Sequence, residues 1–222
     1  MKRGTRLKIQ MKSLNEYRAK HPKEKELDIN VELDKVKKQV QECNKCGLCE
    51  LKENKIESGE CFGKLVLTPL HRTMFNKTIL FVGQSPSHRR FDLDLRAFKG
   101  VDAEATLEDF KTSDDLFRLC LEQSEIKDYN LWVDNIVHCS TTDNQRPSNE
   151  QINACLPWLL EEIELLNPSL IVCLGNTVFE NVKEKLKDYK LAKIWHPAAC
   201  MYKGKESIQE FIQQLNNLKK LI

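Results

Sequence analysis

Residues 131–175 read LWVDNIVHCSTTDNQRPSNEQINACLPWLLEEIELLNPSLIVCLG, and this stretch decides the fold. Its pattern predicts a strand over 131–137, a helix over 148–166 and a second strand over 170–174 that ends at Gly175. The second strand is apolar throughout, as parallel strands buried on both faces are. A strand, a helix and a strand in this order indicate an α/β domain.

The same alternation continues on both sides of this stretch. Further elements are predicted as helices over 30–42, 106–122, 175–187 and 206–220, and as strands over 78–82 and 191–195. Four strands alternating with helices predict a single domain over 29–222, built on a central four-stranded parallel sheet flanked by helices. Residues 50–77 are predicted to be irregular, and residues 84–104 are predicted to form a long loop of the kind that is usually functional.

The composition excludes several classes of protein. The chain has 222 residues, with 35 Lys and Arg against 33 Asp and Glu, so its net charge of +2 excludes a uniformly basic coat but allows a local basic groove. No apolar run is long enough for a transmembrane helix, and the N-terminus lacks the features of a secretory signal. We therefore expect an intracellular protein, cytoplasmic or nucleoid-associated, with no membrane partner. Residues 1–28 predict a basic N-terminal arm, either a disordered solvated tail or a phosphate contact.

Polar segments follow three of the predicted strands. They are GQSPS at 83–87, Asn135 within DNIVHC, and HPAA at 196–199. Sites on parallel sheets lie beyond the carboxyl ends of the strands. The sequence therefore predicts that these segments form one site at that edge of the sheet.

Four cysteines have a spacing that is compatible with a metal site. Cys43 and Cys46 form a C-x2-C pair, and Cys139 and Cys155 follow far downstream. Four thiolates suit either zinc or an iron–sulfur cluster, and the spacing does not decide between them. The spacing also does not decide whether Cys139 and Cys155 are metal ligands or core thiols. The remaining cysteines divide into Cys49 and Cys61, which are alternative ligands, Cys120 and Cys173, which are expected in the core, and Cys200, which is unassigned.

The chain resembles the iron–sulfur uracil-DNA glycosylases, family 4 of the uracil-DNA glycosylase superfamily, over about residues 40–218. The segments that carry the resemblance are CNKCGL at 43–48, ILFVGQSPS at 79–87, RAFKG at 96–100, DNIVHC at 134–139, RPSNEQINACLPWL at 146–159, LIVCLG at 170–175 and HPAA at 196–199. The resemblance implies a structural [4Fe-4S] cluster held by Cys43, Cys46, Cys139 and Cys155, with Cys49 as a bystander.

The resemblance also implies how a base is held. Phe98 would stack on a uracil flipped out of DNA, beside Gly83, and the amide of Asn135 would read O4 and N3–H. His196 would donate a hydrogen bond to O2 as negative charge develops on the leaving base. From the residues alone, Phe98 also fits an ordinary core side chain, Asn135 a turn cap, and His196 a histidine satisfied in the core.

One motif departs from the family pattern. Family 4 usually has Glu directly after the first glycine, in a GEAPG-like segment, and other branches have Asp next, in GQDPYH. Here these positions are Gln84 and Ser85, which we assign with His196 to the catalytic set. Gln84 can orient a water but cannot act as a base. The departure from the family pattern therefore concerns the efficiency of catalysis more than the fold or DNA binding. The acids near this motif are Asp92, Asp94 and Asp102. Each of them could be a substitute general base or a solvated loop charge.

DNA contacts are expected around both of the flanking motifs. The candidates are Pro86, Ser87, His88, Arg89 and Arg90 after the first motif, and Met201, Tyr202, Lys203 and Lys205 after HPAA. Met201 or Tyr202 is the candidate wedge that enters the base stack. The cations fit phosphate contacts or a solvated face, and phosphate contacts would make binding strongly salt-dependent.

The leading hypothesis is a monomeric DNA repair enzyme that flips uracil out of single- or double-stranded DNA and hydrolyses its N-glycosidic bond, leaving an abasic site. The alternative is a catalytically weak or inactive relative that binds DNA or a partner protein, because Gln84 and Ser85 replace the motif carboxylate. A third, weaker reading is a nucleotide-binding α/β domain stapled by zinc.

Overall fold

The computed structural model describes residues 22–48, 68–71, 77–86 and 105–222. Within these ranges the strands are β1 (Thr68–His71), β2 (Thr78–Gly83), β3 (Asn130–Asn135), β4 (Leu170–Leu174) and β5 (Leu191–Ile194). The α-helices are α1 (Pro22–Glu42), α2 (Ser113–Glu122), α3 (Asn149–Leu166), α4 (Asn176–Val182), α5 (Pro197–Lys203) and α6 (Lys205–Leu218). Among the described residues, no helix is long and apolar enough to cross a membrane.

The strands form one sheet in the order β1-β3-β2-β4-β5. The four predicted strands, β2 to β5, are parallel neighbours, which confirms that part of the prediction. The predicted number of strands is wrong, because β1 pairs antiparallel with β3 as a fifth strand. Strand β1 lies within residues 50–77, which are predicted to be irregular. Its four residues include Pro69 and carry no strand pattern, so the sequence does not indicate a strand here. An edge strand tolerates proline because one side of it makes no ladder hydrogen bonds.

Side chains of the sheet alternate between two apolar layers. Along β2, Ile79 and Phe81 enter one layer, which also contains apolar residues of α2 and α6. Leu80 and Val82 enter the other layer, which contains residues of α3 and α4. Phe81 meets Phe117 of α2 edge to face, with ring centroids 5.1 Å apart. The sheet is therefore covered on both faces, as the apolar strands predict.

Helix α1 is anchored on α3 rather than on the sheet. Val36 and Val40 are buried against Trp158 and Leu165 of α3. The helix begins at Pro22, inside the predicted N-terminal arm, and ends just before Cys43. This packing brings the chain that follows α1 to the side of α3.

The observed ends of several helices follow from local capping. The helix predicted from 106 begins only at Ser113, because Thr112 and Asp115 form a capping box. Ser148 and Gln151 form a similar box at the start of α3, close to the predicted boundary. The sequence pattern did not predict α5, a seven-residue helix that begins directly after His196.

Candidate active site and metal centre

The ends of β2 and β3 place Asn135 directly beside Gly83. The two residues are register partners, and a Cβ built on Gly83 would lie 2.5 Å from Asn135 Oδ1. Only glycine leaves room for this amide. Asn135 is 2% exposed, and its Nδ2 has no hydrogen-bond partner among the described residues. A buried donor without a partner is costly, so this amide is suited to receive a ligand acceptor.

His196 lies beyond the end of β5, at the N-cap of α5. The backbone N–H of Ala198 donates to His196 Nδ1 at 3.2 Å, so in the neutral ring the proton is on Nε2. Burial lowers the pKa of His196 to about 4, which keeps the ring neutral at pH 7. The half-buried ring thus offers an Nε2–H donor.

Gly175 follows β4 and lies next to His196, between the end of β5 and the end of β2. A Cβ built on Gly175 would lie 3.6 Å from His196 Cβ, and Gly175 has a φ of 92° that favours glycine. Gly175 follows β4, which lies between β2 and β5. Gly83, Asn135, Gly175 and His196 therefore line one edge of the sheet, which we call the strand-end site. This confirms that β2, β3 and β5 end at a common edge.

The segment after Gly83 contributes amide and hydroxyl groups. Gln84 and Ser85 are half-buried and Pro86 is buried. Gln84 Nε2 donates to the carbonyl oxygen of Gln145 at 3.5 Å, and the Gln84 carbonyl accepts from the N–H of Val137 at 3.1 Å. The segment is thereby tied to the loop that follows β3.

The four predicted cysteine ligands lie around one pocket, which we call the cysteine pocket. Its lining comes from the end of α1, the loop after β3, and α3, and consists of Val40, Cys43, Asn44, Cys46, His138, Cys139, Cys155 and Trp158. Three segments distant in sequence thus meet here.

The cysteine pocket does not have the spacing of a preformed zinc site. Within the described residues, the one set of three or more metal-ligating side chains whose ligand atoms lie within 4.8 Å of one another contains no cysteine. Tetrahedral zinc requires thiolates about 3.8 Å apart, since each Zn–S bond is about 2.3 Å. No three of the described sulfur atoms therefore lie as close together as zinc requires, and four thiolates suit either zinc or an iron–sulfur cluster.

Polar atoms around the cysteine pocket also fit a sulfur-containing group. His138 Nδ1 and Trp158 Nε1 are buried without a hydrogen-bond partner in the described part of the chain. Burial raises the pKa of Cys155, but its interactions with the side chain and backbone of His138 outweigh the effect of burial, so the net pKa is lowered. A lowered pKa favours the thiolate that binds metals. Lys45 Nζ lies 4.5 Å from the centroid of the Trp158 ring and adds a positive charge nearby.

The other described cysteines do not join this pocket. Cys120 and Cys173 are fully buried, and burial raises the pKa of each thiol to about 12, which confirms them as core thiols. Cys200 is buried in α5, where its Sγ lies 3.6 Å from the Ser207 carbonyl oxygen. Cys49 and Cys61 lie outside the described residues.

Three ionisable side chains that the sequence pattern did not predict as a group lie beside the cysteine pocket. Asp134, His138 and Glu162, which we call the buried triad, are 0%, 1% and 1% exposed. His138 Nε2 lies 3.4 Å from Asp134 Oδ1 and 3.3 Å from Glu162 Oε2. Burial alone would lower the pKa of His138, but Asp134, with Cys155 and Glu162, raises it well above its ordinary value. The i, i+4 spacing of Asp134 and His138 was the available signal.

The predicted DNA contacts are only partly within the described residues. Met201 and Tyr202 on α5 are 40% and 89% exposed, as a wedge requires. Lys203 Nζ lies 3.6 Å from the centroid of the Trp195 ring, a cation–π contact that the sequence did not reveal. The remaining candidates, Ser87, His88, Arg89, Arg90, Asp92, Asp94, Phe98 and Asp102, lie outside the described residues.

Known proteins resemble the chain over most of its length. It is 27% identical to the Type-4 uracil-DNA glycosylase of Sulfurisphaera tokodaii over 191 residues, which cover 77% of this chain and 76% of the relative. It is 25% identical to the Type-4 uracil-DNA glycosylase of Saccharolobus solfataricus over 77% of both chains. The Thermotoga maritima enzyme of the same name is 30% identical over 64% of this chain and 61% of its own. These similarities confirm the resemblance stated from the sequence motifs.

The family model of the uracil DNA glycosylase superfamily matches residues 72–219. Gly83, Asn135, Gly175 and His196 all lie inside that span. Because the match covers more than half of the chain and contains the whole strand-end site, the chain belongs to the uracil DNA glycosylase superfamily.

Proposed function

We propose that this protein is an iron–sulfur uracil-DNA glycosylase that flips uracil out of DNA and hydrolyses its N-glycosidic bond, leaving an abasic site. The observation that carries the proposal is the buried amide of Asn135, whose Nδ2 has no partner in the described part of the chain and which faces Gly83 at the strand-end site. The names of its relatives, Type-4 uracil-DNA glycosylases, support the same substrate.

Recognition begins with extrusion of the base, because the glycosidic bond is out of reach inside a duplex. In the extruded position, Asn135 Nδ2 donates to O4 of uracil and the amide oxygen accepts from N3–H. Cytosine carries an amino group, which is a donor, in place of O4. This amino group would face the Nδ2 donor of Asn135, and two donors form no hydrogen bond. Phe98 supplies the stacking face in this proposal.

Cleavage of the bond places negative charge on the leaving uracil. His196 Nδ1 is occupied by the N–H of Ala198, so Nε2–H is the donor directed to O2. A preorganised donor of this type contributes about 3–4 kcal/mol to transition-state stabilisation, by analogy with an oxyanion hole. The ring acts while neutral, because burial lowers its pKa to about 4.

Gln84 and Ser85 complete the catalytic set without a carboxylate. The Gln84 side chain is oriented by its contact with the Gln145 carbonyl, and its amide orients the attacking water. It does not accept a proton from that water. Cleavage therefore relies on stabilisation of the leaving base by His196 and proceeds through a dissociative transition state.

Cys43, Cys46, Cys139 and Cys155 would hold a [4Fe-4S] cluster. The position of all four cysteines around one pocket supports this assignment, as do the buried donors of His138 and Trp158, which have no partner among the described residues. The cluster would supply a cross-link between α1, the loop after β3, and α3. DNA would contact Pro86, Ser87, Arg89 and Arg90 after the first motif, and Met201 and Lys203 after HPAA.

A protein that holds DNA without cleaving it is the second candidate. The observation in its favour is that Gln84 and Ser85, both half-buried at the strand-end site, supply no general base. The strand-end site would then retain a flipped base without turnover.

One experiment separates the two candidates. Protein purified without oxygen is analysed for iron and sulfide, then incubated with a labelled oligonucleotide that contains one uracil, with Gln84→Glu in parallel. Alkali-labile cleavage by the wild type supports the glycosylase. Activity only in Gln84→Glu supports a DNA-holding relative of the enzyme, and inactivity of both with intact DNA binding contradicts the glycosylase.

A further inference from the structure

The buried triad places two carboxyl groups and an imidazole in a site with almost no solvent contact. Each of the three side chains is at most 2% exposed, and the heavy-atom contacts at His138 Nε2 are 3.3 and 3.4 Å. Removing such groups from water costs several kcal/mol per ion unless their interactions compensate for it. Hydrophobic residues of similar volume would cost less, so the buried triad is expected to serve a purpose beyond stability.

His138 lies at the boundary between the carboxyl groups and the cysteine pocket. Its Nε2 is the atom that contacts both Asp134 and Glu162. Its Nδ1, on the other side of the ring, is buried without a partner among the described residues, and the ring lines the cysteine pocket. Cys155 interacts with this side chain. The ring that carries this nitrogen, which has no partner among the described residues, therefore borders the same pocket as the cysteines.

Histidines and carboxylates often support metal ligands in this way. An outer-shell partner fixes the orientation of the ligand atom, and its loss costs about 10- to 100-fold in metal affinity. Hydrogen bonds to ligand sulfurs also tune the reduction potential of iron–sulfur clusters. The arrangement carboxyl–His138–Cys155 has the connectivity of such a support.

We propose that His138 is a positioning residue for the metal group of the cysteine pocket, donating a hydrogen bond from Nδ1 to the Cys155 sulfur while Asp134 and Glu162 hold Nε2. The identity of the metal group rests on the proposed function, whereas the role of His138 does not require uracil excision. Asp134 and Glu162 orient the ring and do not touch the metal group.

Two substitutions test the roles of the two ring nitrogens of His138 separately. In His138→Gln the amide nitrogen reaches the place of Nε2, which keeps the carboxyl contacts and removes the donor to sulfur. In His138→Asn the shorter amide takes the place of Nδ1, which keeps the donor to sulfur and removes the carboxyl contacts. The full-length variants are reconstituted with iron and sulfide, and release of iron to a chelator is followed without oxygen.

We expect iron release from His138→Gln to be at least about 10-fold faster than from the wild type. Release from His138→Asn should stay within about threefold of the wild type. The midpoint potential of the cluster, followed by electron paramagnetic resonance, should fall in His138→Gln and stay near the wild-type value in His138→Asn. Ser124→Ala, which removes a buried hydroxyl bonded to the Leu121 carbonyl far from the pocket, is the control for lost packing and should change neither quantity.

Equal acceleration in both His138 variants would mean that the buried triad only supports packing, and would overturn the proposal. Unchanged release and potential in His138→Gln would also overturn it. Wild-type protein that holds zinc instead of iron and sulfide would contradict the proposed cofactor, but release of zinc from the same two variants would still decide the role of His138.

Discussion

The strand-end site and the cysteine pocket are built in different ways. The strand-end site takes its residues from the ends of neighbouring strands, so the register of the sheet alone sets Gly83 against Asn135. The cysteine pocket takes its residues from α1, a loop and α3, and it leaves two buried donors without partners in the described part of the chain. The sheet preforms the first site, whereas the second forms only where α1 packs against α3.

Removing one ligand should break the cysteine pocket most severely. In Cys155→Ala, loss of the metal group removes about 3 kcal/mol or more of binding free energy, which lowers Tm by roughly 6–12 °C. Iron content and thermal unfolding measure the effect. Cys120→Ala, a core thiol outside the pocket, is the matched control and should retain full iron content. Full iron content in Cys155→Ala would exclude it as a ligand.

The strand-end site should lose activity without losing the cysteine pocket. His196→Ala removes the Nε2–H donor, and we expect kcat for uracil release to fall by about 10²–10³-fold. His196→Asn keeps an acceptor for the N–H of Ala198 at the helix cap but lacks that donor, so it should lose activity equally and retain more stability. Single-turnover release of uracil and iron content are measured. Activity at the wild-type level in either variant would contradict the role of His196.

The contact between Gly83 and Asn135 can be tested through its coupling. In Gly83→Ala the added methyl group would meet Asn135 Oδ1, and overpacking of this kind costs about 1–3 kcal/mol. In the Asn135→Ala background the same substitution should cost much less, because the amide is gone. The free energy of unfolding of both single variants and the double variant gives this coupling. Additive costs would show that the contact does not restrict position 83.

The protonation state of His196 predicts a pH profile. Because its pKa is lowered to about 4 in the folded protein, activity should show no inflection near pH 6.5. The unfolded chain binds the proton with the ordinary pKa, so the unfolded state holds more protons between pH 4 and 6.5, and stability should fall as the pH is lowered through this window. In His196→Asn that part of the dependence should disappear. A histidine-like inflection of kcat near 6.5 would contradict a neutral donor.

Lys203 is expected to produce the smallest effect. If it contacts a phosphate, Lys203→Ala should weaken DNA binding and reduce the slope of log affinity against log salt by about 0.9. Lys127→Ala, close before β3 at the opposite end of the strands, makes the same change in net charge and should leave the slope unchanged. A loss of stability without a change in slope would limit Lys203 to its contact with Trp195.

The sequence predicted the parts of the molecule that depend on hydrophobic periodicity and on the order of segments along the chain. The apolar runs of β2 to β5, the polar segments after them and the separation of Cys120 and Cys173 from the candidate ligands all follow from local pattern. Strand β1 escaped because an edge strand of four residues has no periodicity. The buried triad escaped because Glu162 reaches His138 only through the packing of α3, and a sequence does not show which polar side chain a helix turns inward.

The two sites meet in the six residues from Asp134 to Cys139, which contain the amide proposed to read the base, the imidazole proposed to support the metal group and a cysteine of the pocket. The sheet fixes this stretch twice, since Ile136 N–H donates to the Gly83 carbonyl at 2.9 Å and Val137 N–H to the Gln84 carbonyl at 3.1 Å. Insertion or deletion of a single residue here would move one site relative to the other by about 3.3 Å. In descendants of this gene, the number of residues in this stretch is therefore as constrained as the side chains of Asn135, His138 and Cys139.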